Sequence, residues 1–459
     1  MEEAVLARAL ERSLAEIPLV DVHTHLSPDH LAARGLHDIL LYHMVVSDLA
    51  SAGCPDRHRL SREPTDEEAG SRIERALPFL PAVGNTSCMW GVRLILEDLF
   101  GWKGPITQAS WRRLDGLIRE RAGSKGRARE IMARAGIVQS CTDWYRRKDD
   151  SVDDLFGYSL EWGFFARCQP GECDTALYEV EKAWSDGAPG VPRPNVPEGR
   201  RPETAQRVRN LDDIEEGMAA YVAGMPPNIV STAHHFSTDI DFSEPDAGRA
   251  RAALRRRGRA GREERDTYAS WVQEAFYRHF EEKRAEVLFQ FSFGAEPLPF
   301  ETGSRMRQST VAALGEMIAR HPRIRFQCLL GSAHVNQGLC TLARELPNFS
   351  LAGYWWHSFF PAFIERAIEE RLDMLSTASQ VGFFSDAYTL EWSYAKAVVV
   401  RRILGKVLAR KVLLGQYTKA RAVEVAREIL FGTPSRFMGA VVAPAALPRK
   451  RVRAVPSSP

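Results

Sequence analysis

Eight short apolar runs rich in β-branched and aromatic residues recur along this chain, and most are separated by stretches with helical spacing. The runs are Pro18 to Leu26, Gly136 to Cys141, Gly163 to Cys168, Asn228 to Ala233, Glu286 to Phe293, Arg323 to Leu330, Phe349 to Trp356 and Val381 to Asp386. Strands that alternate with helices build parallel sheets, and eight such units predict an α/β fold, a closed (β/α)8 TIM-type barrel. Helical stretches such as Gln308 to Arg320 and Ala362 to Met374 supply the crossovers.

One connection breaks the rhythm. After a helix predicted over His30 to Gly53, residues 56–135 carry helical patterns only, including Glu67 to Ala76, Met89 to Phe100 and Trp111 to Arg121. That is too long for a simple βα loop and predicts a helical insertion after strand 1. The expected divisions are 1–55 for the first strand and helix, 56–135 for the insertion, 136–440 for the rest of the barrel, and 441–459 for a disordered basic tail. Asp186 to Pro202 reads as a surface loop, and the arginine-dense Arg249 to Arg265 as a solvated helix face.

The 459 residues are 44% hydrophobic and 26% charged, enough to build a large core. A formal net charge of +2 gives no field that would recruit nucleic acid or an acidic membrane. No run of 18 apolar residues occurs, and the acidic start Met1-Glu2-Glu3 is unlike a signal peptide, so a cytoplasmic protein is expected. The seven cysteines are scattered; Cys168 and Cys173 are close, but C-x4-C without a second pair is poor zinc spacing, and free thiols are expected.

The first run ends in His23-Thr24-His25. In a strand, alternate residues share a face with α-carbons about 6.5 Å apart, so both imidazoles can converge on one ion. Ser27-Pro28-Asp29 then breaks the strand, placing the pair at its carboxyl end, where barrels carry their chemistry. Two hydrogen-bonded core histidines are the plainer reading of the same pattern. Asp386 ends the eighth run, and barrel closure makes strands eight and one neighbours, so His23, His25 and Asp386 can meet. Such a set suits a divalent metal, zinc first, with manganese or iron as alternatives. Alone, Asp386 also reads as a helix N-cap.

At this point the chain resembles the uronate isomerases of the amidohydrolase superfamily, whose barrels carry His-X-His after strand one and Asp after strand eight. Tyr42-His43, Asn85 with Trp90-Gly91-Val92-Arg93-Leu94, Cys141-Thr142-Asp143, Gly353-Tyr354-Trp355-Trp356-His357, Arg371-Leu372-Asp373 and Ser385-Asp386-Ala387 resemble the family's segments in order, over roughly residues 18 to 440. The departures are as informative. Tyr388 stands where the family usually has an arginine two residues past the aspartate, Gln169 where it has an arginine before proline, and Ser292 where it has a strand histidine. Neither glutamine nor tyrosine supplies the charge that clamps a uronate carboxylate.

The resemblance implies a metal-dependent aldose–ketose isomerisation of a hexuronate, glucuronate to fructuronate, through an enediol. It implies Asp386 and His43 as catalytic groups, and Trp355, Trp356, His235, Tyr388 and Gln169 around a small-molecule substrate; His334, at the end of another strand, is a further candidate for touching that substrate. Asp239, Asp241, Arg305 and Arg307 are further candidates for a base or a replacement charge. The lost arginines keep open a hydrolase, deaminase or lyase acting on another substrate, and a non-catalytic binding protein on the same scaffold is the reading from a different class. A homo-oligomer is compatible with either.

Overall fold

Parallel neighbours cannot be joined by a tight turn, so a chain that pairs each strand with the next must cross over each time. Eight parallel strands pair here in chain order: β1 (Leu19–Thr24), β2 (Ile137–Thr142), β3 (Phe156–Glu161), β4 (Ile229–His235), β5 (Leu288–Phe293), β6 (Arg325–Leu330), β7 (Phe349–Ala352) and β8 (Gln380–Val381). This computed structural model describes residues 2–27, 30–58, 60, 64–124, 126–142, 153–161, 209–223, 225, 229–236, 242, 244–256, 259–294, 308–354 and 359–439. No ladder among the described residues joins β8 to β1. The segment past β8 lies along β1 all the same, because Asp386 N–H donates to His23 O at 3.0 Å and His25 N–H donates to Ala387 O at 2.9 Å.

Period-two alternation sorts the strand residues. Phe289, Phe291 and Phe293 of β5 face the outer helices, whose Tyr277 and Phe280 pack against Phe289. Val20, Val22, Leu288, Leu329, Ala352, Val381 and Phe384 form an inner apolar cluster. A polar row crosses the inside: Gln290 Nε2 donates to Val22 O at 2.9 Å and to Gln327 Oε1 at 2.8 Å, and Gln327 Nε2 donates to Ser350 Oγ at 3.2 Å. Buried amides are tolerable only when so paired, and this row ties β5, β6 and β7 to β1 just before His23.

Several expectations need correction. The predicted third strand, 163–168, lies outside the described residues, and β3 is instead Phe156–Glu161. The expected helix over 30–53 is two, Leu36–Leu40 and His43–Ser51, because Tyr42 adopts an extended ψ of 140° between them. The last strand stops at Val381, so Asp386 sits five residues past it in an irregular segment. Asp386 caps no helix, since Leu390–Leu413 takes Thr389 as its N-cap. Between β1 and β2 the elements are helical, chiefly Asp66–Ala76, Ser87–Phe100, Trp111–Ala122 and Arg127–Ala135. The 186–202 loop and the 441–459 tail lie outside the described residues.

Helix Leu390–Leu413 packs against Glu2–Ala15, Ser87–Phe100, Arg127–Ala135 and Pro361–Met374. Its Arg401 is buried and works as a carbonyl cap, Nη2 donating to Ile17 O at 2.8 Å and Nη1 to Ala135 O. Arg401→Met keeps the volume and removes both charge-assisted bonds, so it should cost about 2–4 kcal/mol. Urea unfolding should show a lower midpoint with an unchanged slope; an unmoved midpoint would refute the capping role. No helix among the described residues is long and apolar enough to cross a membrane.

Candidate metal centre

β1 is irregular in register between Asp21 and Thr24, and this stretch presents His23 within the strand and His25 just beyond it. The two rings meet edge to face, with centroids 4.9 Å apart at 84°. Asp386 is the one non-glycine residue among the described residues with positive φ, 50°. Aspartate tolerates this left-handed backbone better than most side chains. The bonds around it are dense: Ser385 N–H donates to Asp21 Oδ1 at 2.7 Å, and Ala387 O accepts from His25 N–H and from Thr24 Oγ1, each at 2.9 Å. The carbonyl of Asp386 itself accepts from Tyr42 Oη at 3.0 Å and from Lys396 Nζ at 3.4 Å.

One ligand atom from each of His23, His25 and Asp386 lies within 4.8 Å of the others. Asp386 Oδ1 is 3.1 Å from His25 Nε2 and 3.8 Å from His23 Nε2. Oδ1 is buried and faces the two imidazole nitrogens rather than solvent. Two imidazoles and a carboxylate so arranged fit a divalent ion of the zinc, manganese or iron type with positions left open. Burial alone would raise the Asp386 carboxyl, but His25, Lys396 and His23 outweigh it and hold the group well below the usual range, ionised and ready to ligate. Behind it, burial pushes Asp21 up to about 7 and Lys396 down to about 8.

Two more candidates join this cluster. His43, buried at the start of helix His43–Ser51, meets Tyr388 edge-on at 5.4 Å, and Tyr388 stacks on His25 at 5.2 Å with 18° between planes. The phenol therefore stands between the two histidines. His235, at the end of β4, sits across from Ser292 of β5, with Nδ1 3.0 Å from Ser292 Oγ, while its neighbour His234 turns the other way onto Phe236. His334 lies beyond β6, exposed and 2.8 Å from Ser332 Oγ. Gln169, Trp355, Trp356, Asp239, Asp241, Arg305 and Arg307 lie outside the described residues.

Lys396 is the residue that sequence reasoning missed. It interrupts the run Ala395-Lys396-Ala397-Val398-Val399-Val400, and a lone charge in an otherwise apolar helical stretch was the available signal.

Several solved structures share this architecture, among them the following three. Glucuronate isomerase from Caulobacter crescentus matches at TM-score 0.73 and 15% identity, over 96% of this chain and 95% of that one. Uronate isomerase from Thermotoga maritima matches at 0.71 and 14%, over 95% and 97%. A provisionally assigned metal-dependent hydrolase from Lactobacillus casei matches at 0.53 and 12%, over 94% and 97%. These likenesses show the fold. No family model and no curated protein matches the sequence.

Proposed function

We propose that this chain is a divalent-metal-dependent enzyme of the uronate isomerase type, interconverting an aldose and a ketose hexuronate, glucuronate and fructuronate, by proton transfer through an enediol. The observation that carries the reading is the convergence of His23, His25 and Asp386 beside the buried His43. A bound divalent ion, zinc first, would supply Lewis-acid stabilisation of negative charge on a substrate oxygen. His23 and His25 would hold it as neutral imidazoles. Asp386, kept ionised, accepts the proton leaving C2 and returns it to C1, a step worth about 10²–10⁴-fold when the base is well placed. His43, wedged against Tyr388, takes the proton from the O2 hydroxyl and delivers it to O1, so that C2 ends as the ketone and C1 as the alcohol.

Tyr388 favours a second reading on the same site. Its ring covers His25 where the resembling family carries an arginine, and a phenol cannot neutralise a carboxylate. Hydrolysis, deamination or elimination on a substrate without that carboxylate follows if hexuronates fail.

The test is product formation by metal-reconstituted protein from D-glucuronate and D-galacturonate, with His23→Ala as the blank. Ketouronate formed only by the intact chain is the expected result. Tight metal binding without turnover would overturn the uronate assignment and leave the second reading.

A further inference from the structure

We infer that Tyr42 and Lys396 are positioning residues for the metal centre: together they hold the Asp386 backbone in the left-handed conformation from which its carboxylate meets His23 and His25. This rests on the metal reading above.

A non-glycine residue stays at positive φ only where its surroundings over-determine it. At Asp386 the amide is fixed by His23 O, so rotation of the following peptide is the remaining freedom. That peptide's oxygen is the atom bound by Tyr42 and Lys396. Tyr42 Oη donates to it at 3.0 Å, and Lys396 Nζ donates both to Tyr42 Oη, at 2.9 Å, and to the same carbonyl, at 3.4 Å. If the carbonyl turned away, the Tyr42 hydroxyl would lose this acceptor and Lys396 would keep only Tyr42 Oη of the two.

The donors are themselves rigid. Tyr42 stacks on Trp392, centroids 4.4 Å apart at 26°, and Trp392 Nε1 donates to Asp38 O at 3.2 Å. Lys396 is fully buried on helix Leu390–Leu413, its ammonium 5.3 Å from the Tyr42 ring centre and 5.0 Å from that of Phe359. A buried ammonium is a costly way to gain stability, since an apolar side chain of equal volume commonly does as well or better. Its use here is geometric. Tyr42 also precedes His43 as the N-cap of that helix, and the two ring centroids lie 4.2 Å apart.

Tyr42→Phe removes the hydroxyl alone and keeps the stack on Trp392. Zinc affinity, measured by competition with a chromophoric chelator, should fall about 10–100-fold, the usual effect of losing a group that orients a ligand. The electronic spectrum of the cobalt-substituted protein should change, while thermal unfolding of the metal-free chain should move little. Lys396→Met should act in the same direction, and the double variant should lose less than the two single losses combined. If Lys396→Met does not fold, Tyr42→Phe still decides. Parent-like zinc affinity and cobalt spectrum in Tyr42→Phe would overturn the positioning role alone. A parent chain that binds no ion, as His23→Ala should not, would overturn both the role and the metal reading.

Discussion

Asp386→Asn should fold like the parent and lose at least ~10²-fold in turnover, with ~10⁴-fold the upper end for loss of a positioned base. Asparagine keeps the shape and shares aspartate's tolerance of the left-handed backbone, so this residue's main chain still accepts from Tyr42 and Lys396 and still donates to His23 O. What goes is the negative charge. His25 and His23 then face a neutral amide at distances of 3.1 and 3.8 Å, and the ion loses its anionic ligand. Steady-state kinetics beside a thermal scan checks this: a cooperative transition with a lowered midpoint, since the stabilising carboxylate charge is gone, together with lost turnover is the expected pattern. Turnover within ten-fold of the parent would remove Asp386 from the chemistry.

Gly353→Ala should be the most damaging single methyl in the barrel. Gly353 follows β7 with φ +44°, and a Cβ there would overlap Phe384 Cδ1 and sit 2.5 Å from Cε1. The ring has no room to step aside, because it is buried in the inner cluster with Val381, Leu329 and Ala352. Nor can the backbone move freely, with Gly353 N–H on Val381 O at 2.9 Å and Arg371 Nη1 on Gly353 O at 2.6 Å. Overpacking costs about 1–3 kcal/mol and the strained φ a similar amount, so the sum is roughly 2–6 kcal/mol. Phe384 also meets the His23 ring edge-on at 5.9 Å, so the displaced ring should disturb the metal centre too. Chemical denaturation checks the first effect and zinc affinity the second. Gly101→Ala, at φ +69° with nothing within 4 Å of its Cβ, is the control and should cost about 1 kcal/mol. Equal effects in the two variants would refute the clash.

The parallel sheet and its eight strands were legible because apolar runs and helical spacing are local properties of the chain. The third strand of the sheet, Phe156–Glu161, was not legible because Phe156-Gly157-Tyr158-Ser159 alternates aromatic with small residues; the run 163–168 lies outside the described residues. The break between helices at Tyr42 carries no glycine or proline; it is set by tertiary contact with Trp392 on a distant helix. The pairing of His23 and His25 followed from strand period. Their approach to Asp386 followed only once neighbouring first and last strands were assumed, and the strand itself ends well before that residue. Lys396 was illegible as a partner of Asp386, since a helical period gives a face but not what the face meets. Tyr388 was singled out by resemblance, and its stack on His25 is a fact of packing that spacing does not contain.

The most direct test of the account is calorimetric titration of the metal-free chain with zinc, run beside His23→Ala. One ion per chain in the parent, with binding lost in the variant, is the predicted result. Absence of saturable binding in the parent, or equal binding in both proteins, would contradict a centre built from His23, His25 and Asp386.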